Sequence, residues 1–183
     1  MKRLLVGLGL LAWACAARAD VETNAAPSVT YGVTAYRAST QTLTNATLTY
    51  MLFDADGNDR YGMHDLTSCS AQTPDSCSKL TAPVAGWYNG SCSILFAAQA
   101  TAAGVRSVYM TVNAASTAAM SIPMTASYNN ATVPVAVSRN VYLNKGDFIT
   151  CLVLQSSGGN LNTTAATDGN DADASASLVF IGP

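Results

Sequence analysis

Residues 138–154 read as two strands around a tight turn, and they set the pattern for the rest of the chain. Ser138-Arg139-Asn140-Val141-Tyr142-Leu143 and Phe148-Ile149-Thr150-Cys151-Leu152-Val153-Leu154 are apolar and rich in β-branched residues. Between them Asn144-Lys145-Gly146-Asp147 supplies a glycine for positive φ and side chains that hydrogen-bond locally. This spacing predicts a β-hairpin. No segment elsewhere keeps apolar residues at helical spacing while also being rich in Leu, Glu, Lys and Arg. Strands are expected instead over Val29–Arg37, Ala46–Phe53, Gly86–Ala97, Val105–Val112, Met120–Ala126, Val133–Leu143, Phe148–Gln155 and Ser175–Ile181. Turn clusters separate them at Asp56-Gly57-Asn58, Asn129-Asn130, Gly158-Gly159-Asn160 and Asp168-Gly169-Asn170-Asp171, and Asn89-Gly90 suggests a bend. About eight short strands punctuated in this way predict an all-β sandwich or barrel.

Alternation assigns faces. In the run from Val105, the residues Arg106, Val108, Met110 and Val112 share one side, the better candidate for the core. Val133, Val135 and Val137 alternate too, with a bulge or kink expected at Arg139-Asn140. Pro134 cannot donate to a ladder, which places that strand start at a sheet edge or in an extended lead-in.

The N-terminus carries an export pattern. Lys2 and Arg3 precede an apolar stretch from Leu4 to Ala14, and Ala17-Arg18-Ala19 has small residues where a signal peptidase reads. Residues 1–19 are therefore expected to be a signal peptide, 20–28 an N-terminal arm and 29–183 one head domain. Lipidation of Cys15 is the competing reading, but Trp13 is bulky where such motifs carry a small residue. No later apolar run is long enough to span a bilayer, so no membrane insertion is expected.

Without the leader the chain has six basic against eleven acidic residues, a net charge of −5. Binding to a phosphate backbone relies on basic side chains displacing counterions, so nucleic acid is not an expected partner. Four cysteines remain: Cys69, Cys77, Cys92 and Cys151. An even count in an exported chain suggests two disulfides. Cys69 and Cys77 flank polar loop material and make a local staple the preferred pairing. Cys92 and Cys151 lie in predicted strands, either bridging two sheets or buried as separate thiols.

Two acidic segments present oxygen ligands of the kind calcium prefers. One holds Asp54, Asp56, Asn58 and Asp59, the other Asp168, Asn170 and Asp171. Calcium is the one cofactor these residues suggest. The competing expectation is an ordinary polar turn at each place, since the first segment has neither the glycine position nor the closing Glu of the helix-loop-helix calcium loop. His64 is the only histidine, so a Ser-His-Asp triad would have to include it, yet Met63 and Asp65 beside it predict an exposed loop. No Gly-x-Ser-x-Gly elbow is present. Trp87 and Tyr88 are expected to be a buried sheet residue and its outward or interface neighbour rather than a sugar-stacking pair. Asn-x-Ser/Thr sequons begin at Asn45, Asn89, Asn130 and Asn162.

Four segments in order carry a family resemblance: Tyr50-Met51-Leu52-Phe53-Asp54, Thr81-Ala82-Pro83-Val84-Ala85-Gly86-Trp87-Tyr88, Leu143-Asn144-Lys145-Gly146-Asp147-Phe148-Ile149, and Ser175-Ala176-Ser177-Leu178-Val179-Phe180-Ile181 before the end. Their order and spacing resemble the complement one-q globular head, a jelly-roll domain of the tumour necrosis factor-like superfamily. The resemblance implies a two-sheet antiparallel jelly-roll sandwich, three copies packed as a homotrimer, and an extracellular or cell-surface recognition head. Such a head is not an enzyme and binds a protein or glycan through its loops. The low charged fraction, 11%, also favours burial against copies of itself. A structural subunit of an extracellular fibre, coat or appendage is the alternative, and a hydrolase using the acidic loops a third.

Overall fold

The computed structural model describes residues 30–69, 76–98, 104–114, 120–124, 132–165 and 174–183, with side chains left aside for 120–124. The signal peptide and the N-terminal arm fall outside these residues. Among the described residues twelve strands run in chain order: β1 Gly32–Tyr36, β2 Thr42–Leu43, β3 Thr49–Tyr50, β4 Ala55–Asp59, β5 Lys79–Thr81, β6 Gly86–Phe96, β7 Arg106–Val112, β8 Met120–Met124, β9 Val133–Leu143, β10 Phe148–Gln155, β11 Leu161–Asn162 and β12 Ser175–Gly182. A single 3-10 turn, Ser76–Ser78, is the one helical element among the described residues.

One sheet has the order β4-β1-β12-β6-β9. The other runs β3-β10-β7-β8, with β5 also paired to β10, and β2 pairs with β11. Every pairing is antiparallel. The inner faces meet in a core of Val33, Phe53, Tyr88, Ile94, Phe96, Val108, Met110, Val135, Leu143, Ile149 and Val153. Cys92 of β6 and Cys151 of β10 are disulfide-bonded across the two sheets, and Cys69–Cys77 closes the loop before β5.

The expected hairpin at 138–154 is not one. β9 pairs with β6 in the first sheet and β10 with β7 in the second, so the turn between them carries the chain across the sandwich. Both strands have apolar inner faces, and facing each other through Leu143 and Ile149 buries more than lying side by side. The corner is held by Asp147, which accepts hydrogen bonds from the Asn144 backbone N–H at 2.8 Å and the Asn113 amide at 2.9 Å. Gly146 at φ 89° supplies the left-handed residue.

Those bonds, the Asn113 amide first, hold the Asp147 carboxyl below the usual carboxylate range. A depressed folded-state pKa stabilises above the unfolded value, about 3.9, and that contribution is lost as pH falls through the folded one. Asp147→Asn is therefore expected to flatten the loss of stability on acidification below about pH 4, as read by urea unfolding at stepped pH. An unchanged slope would show that the corner does not titrate.

Two further expectations change. β6 is continuous through Asn89-Gly90, so there is no bend, and the β6–β9 ladder runs without a slip from Gly86↔Leu143 to Phe96↔Val133, so Arg139-Asn140 is not a bulge. The β9 edge position expected for Pro134 is observed, as is the inward set Arg106, Val108 and Met110 on β7. Arg106 is buried with them, and loss of hydration pulls its pKa down.

Gly86 opens β6 at φ 154°, where a Cβ would lie 2.6 Å from the Gly182 carbonyl oxygen and overlap the Phe180 ring. Gly86→Ala is expected to cost roughly 3 kcal/mol in chemical denaturation. A loss below roughly 1 kcal/mol would mean that Phe180 turns aside at little expense.

Candidate functional site

The first acidic segment is an edge strand rather than a turn tip. Ala55–Asp59 pairs with β1 through Val33↔Asp59, Thr34↔Asn58, Ala35↔Asp56 and Tyr36↔Ala55, with a register shift between Thr34 and Ala35. Asp56 and Asp59 thus fall on the side of the core residues Val33 and Ala35, and Asn58 on the outer side with Thr34.

Each carboxylate has its own protein donors. Asp54 accepts from the Ala38 backbone N–H at 2.6 Å and the Ser39 hydroxyl at 2.7 Å, with Arg37 3.4 Å away. Asp59 accepts from the backbone N–H groups of Tyr61, Met63 and His64 at 3.2, 2.9 and 2.9 Å. These two side chains point at different groups, and the described residues contain no cluster of three acidic, His or Cys side chains able to hold a metal. Asp168, Asn170 and Asp171 lie outside the described residues.

His64 is not exposed: it is 6% accessible. Its Nδ1 lies 2.5 Å from Asp56 Oδ1, and its Nε2 donates to the Cys77 carbonyl oxygen at 3.1 Å. This is the acid-imidazole half of a triad whose nucleophile position is taken by a backbone carbonyl. A carbonyl oxygen has no proton to lose, so the pair locks a loop and activates nothing.

The outer face of the five-stranded sheet has a different character. Trp87 and Tyr142 are cross-strand partners, 47% and 50% exposed, with ring centroids 5.7 Å apart. Val179 and Ile181 of β12 are exposed on the same sheet. The next rows across β9, β6 and β12 are Asn140–Asn89–Val179, Ser138–Ser91–Ser177 and Ala136–Ser93–Ser175. Their polar groups bond one another: the Asn89 amide donates to Asn140 Oδ1 at 2.9 Å, and the Ser91 and Ser177 hydroxyls are 2.7 Å apart. By alternation from these registers, none of the outward residues of β1, β4, β6, β9 or β12 is charged.

Tyr88, the inward neighbour of Trp87, is buried and donates to the Val84 carbonyl at 2.8 Å; burial pushes its phenol pKa up. The pair does split into one buried and one outward residue, but Tyr88 is the buried one and Trp87 the outward one, because the β6 phase set by Cys92 and Ile94 turns Tyr88 inward. The exposed Trp87–Tyr142 pair and the uncharged face went unnoticed in the sequence. The available signal was the period-2 phase of β6 and β9, whose outward positions hold only Trp, Tyr, Asn, Ser, Ala, Leu and Pro.

At the β4–β1–β12 side of this face lies a groove of about 480 Å³. Gly32, Thr34, Asn58, Arg60, Tyr61 and Val179 line it. Tyr61 packs against Tyr31 with centroids 4.7 Å apart, and Tyr31 against Phe180 at 5.8 Å.

No family model and no curated protein matches the chain in sequence. Solved structures do match in fold. The globular domain of the zebrafish complement 1qA protein aligns with a TM-score of 0.55 at 12% identity, covering 82% of this chain and 96% of that one. Murine APRIL at pH 5.0 aligns at 0.54 and 10% identity, covering 83% and 99%. The Eiger TNF of S. frugiperda aligns at 0.53 and 10% identity, covering 84% and 93%. The sandwich thus has the jelly-roll fold of these complement one-q and tumour necrosis factor-like domains.

Proposed function

We propose that this jelly roll is a secreted, non-catalytic recognition head that works as a homotrimer and meets an extracellular protein or glycan through its surface loops. The observation that carries the reading is the uncharged outer face of the five-stranded sheet. Exposed apolar patches on soluble proteins mark association sites, and here Trp87, Tyr142, Val179 and Ile181 supply one. The asparagine and serine rows beside it are already hydrogen-bonded to each other, so covering them strips little water from unsatisfied groups. The outward strand residues around this patch are uncharged, so a second copy seated on Trp87 and Tyr142 meets no like-charge repulsion from them. Closed symmetry is how soluble chains bury such a surface, and the fold likeness favours three copies over two.

Secretion is supported by the leader pattern and by two disulfides, which persist in oxidising compartments. The non-catalytic reading is supported by His64, whose ring nitrogens face Asp56 and a backbone carbonyl. Light scattering on the chain from Asp20, coupled to size exclusion at micromolar concentration, tests the assembly. A mass of three chains is expected; a monomer at that concentration contradicts the proposal.

A further inference from the structure

We propose that the groove between the Arg60–Tyr61 loop and Val179 binds a sugar that carries a carboxylate. The cation comes first in the argument. Arg60 is exposed and no acidic side chain among the described residues pairs with it. The adjacent carboxylate, Asp59, accepts from three backbone amides instead. Those same bonds fix the loop that holds Arg60 and Tyr61 at the rim, so the guanidinium is presented from a set backbone rather than from a floppy tip.

The remaining lining suits a polyol. Thr34 and Asn58 are cross-strand neighbours whose side chains make no hydrogen bond to another described residue, leaving a hydroxyl and an amide for sugar hydroxyls. Tyr61 is 41% exposed and braced edge-on by Tyr31, which gives a fixed aromatic wall for the apolar face of a ring. Gly32 forms the floor: a Cβ there would reach Val179 at 3.8 Å, so the missing side chain is what leaves the space. The groove lies on the sheet face, not along the β4 edge, and its volume takes a compact ring more readily than an extended peptide strand. A guanidinium matches a carboxylate through two parallel N–H···O bonds, which makes the acid the selecting group.

The groove is built from one subunit and shares Val179 with the proposed association face, so sugar binding is read at Asn58, Arg60 and Tyr61 as well and the oligomer is followed separately. The test is a heteronuclear NMR titration of the chain from Asp20 with glucuronate and with N-acetylneuraminate. Glucose and methyl glucuronate ester probe the need for the charge, and N-acetyl-glutamate amide probes the need for the polyol. The expected result is saturable shifts at Asn58, Arg60, Tyr61 and Val179 with one of the acidic sugars at roughly millimolar concentration. Arg60→Gln and Gly32→Val should each weaken binding at least about tenfold, an effect of about 1.4 kcal/mol, with other resonances in place. The proposal is overturned by the absence of saturation with both acidic sugars, by an equal response to the ester or glucose, by undiminished binding in Arg60→Gln, or by equally tight binding of the glutamate amide. Light scattering on the same sample reports the oligomer separately.

Discussion

Replacing Cys92 and Cys151 together by alanine is expected to lower the unfolding free energy by about 4 kcal/mol, enough to leave the sandwich largely unfolded at 37 °C. The pair joins positions 59 residues apart in sequence, one in each sheet, and a loop that long loses much of its unfolded-state freedom when closed. Cys69–Cys77 closes a separation of only 8 residues at the edge of the fold. The corresponding double alanine variant should cost less, about 2.5 kcal/mol by the same loop-length reasoning, and its effect should centre on the hydrogen bond from His64 to the Cys77 carbonyl. Guanidinium unfolding of both variants against the parent checks this. Equal losses for the two pairs would mean that the cross-sheet bond is not the main clasp.

The second large effect is on assembly. Trp87→Asp combined with Tyr142→Asp places two carboxylates side by side on each copy of the outer face. Burying an uncompensated carboxylate costs several kcal/mol, so association should weaken on the order of a thousandfold or more. The fold should survive, because both side chains stand half-exposed outside the core. The variant is expected to scatter light as a monomer with an unchanged far-ultraviolet spectrum. Asn45→Asp, remote from this face at the β2–β3 connection, should leave assembly as it was. A double variant that keeps the parent mass would place the interface elsewhere.

Strand positions were legible because alternation survives in the long strands. Val133, Val135 and Val137 point inward as their spacing required, and Pro134 stands on an edge strand. The partner of each strand was less legible. Asn144-Lys145-Gly146-Asp147 has the same turn chemistry whether the flanking strands pair or face each other, and what decides is the long-range ladder each strand finds. Composition also misled at Asp54–Asp59. Asp, Asn and Gly favour turns, yet here β1 offers a free edge and distant donors satisfy each acid: Ala38 and Ser39, His64, and the amides of the following loop. His64 was misplaced for the same reason, since its partners Asp56 and Cys77 become neighbours only after the loop folds over. The uncharged face, by contrast, was present in the sequence all along and needed only the correct phase of β6.

Trp87 makes the proposed self-association directly testable. The chain has two tryptophans, and Trp13 lies in the expected leader, so the indole of the chain from Asp20 reports one site. Acrylamide quenching of its fluorescence across a dilution series should show a shielded indole at micromolar concentration that becomes accessible as the sample is diluted, in step with the fall in scattered mass. An indole that is freely quenched at every concentration would contradict the account, because the face on which three copies are said to meet would be bathed in solvent.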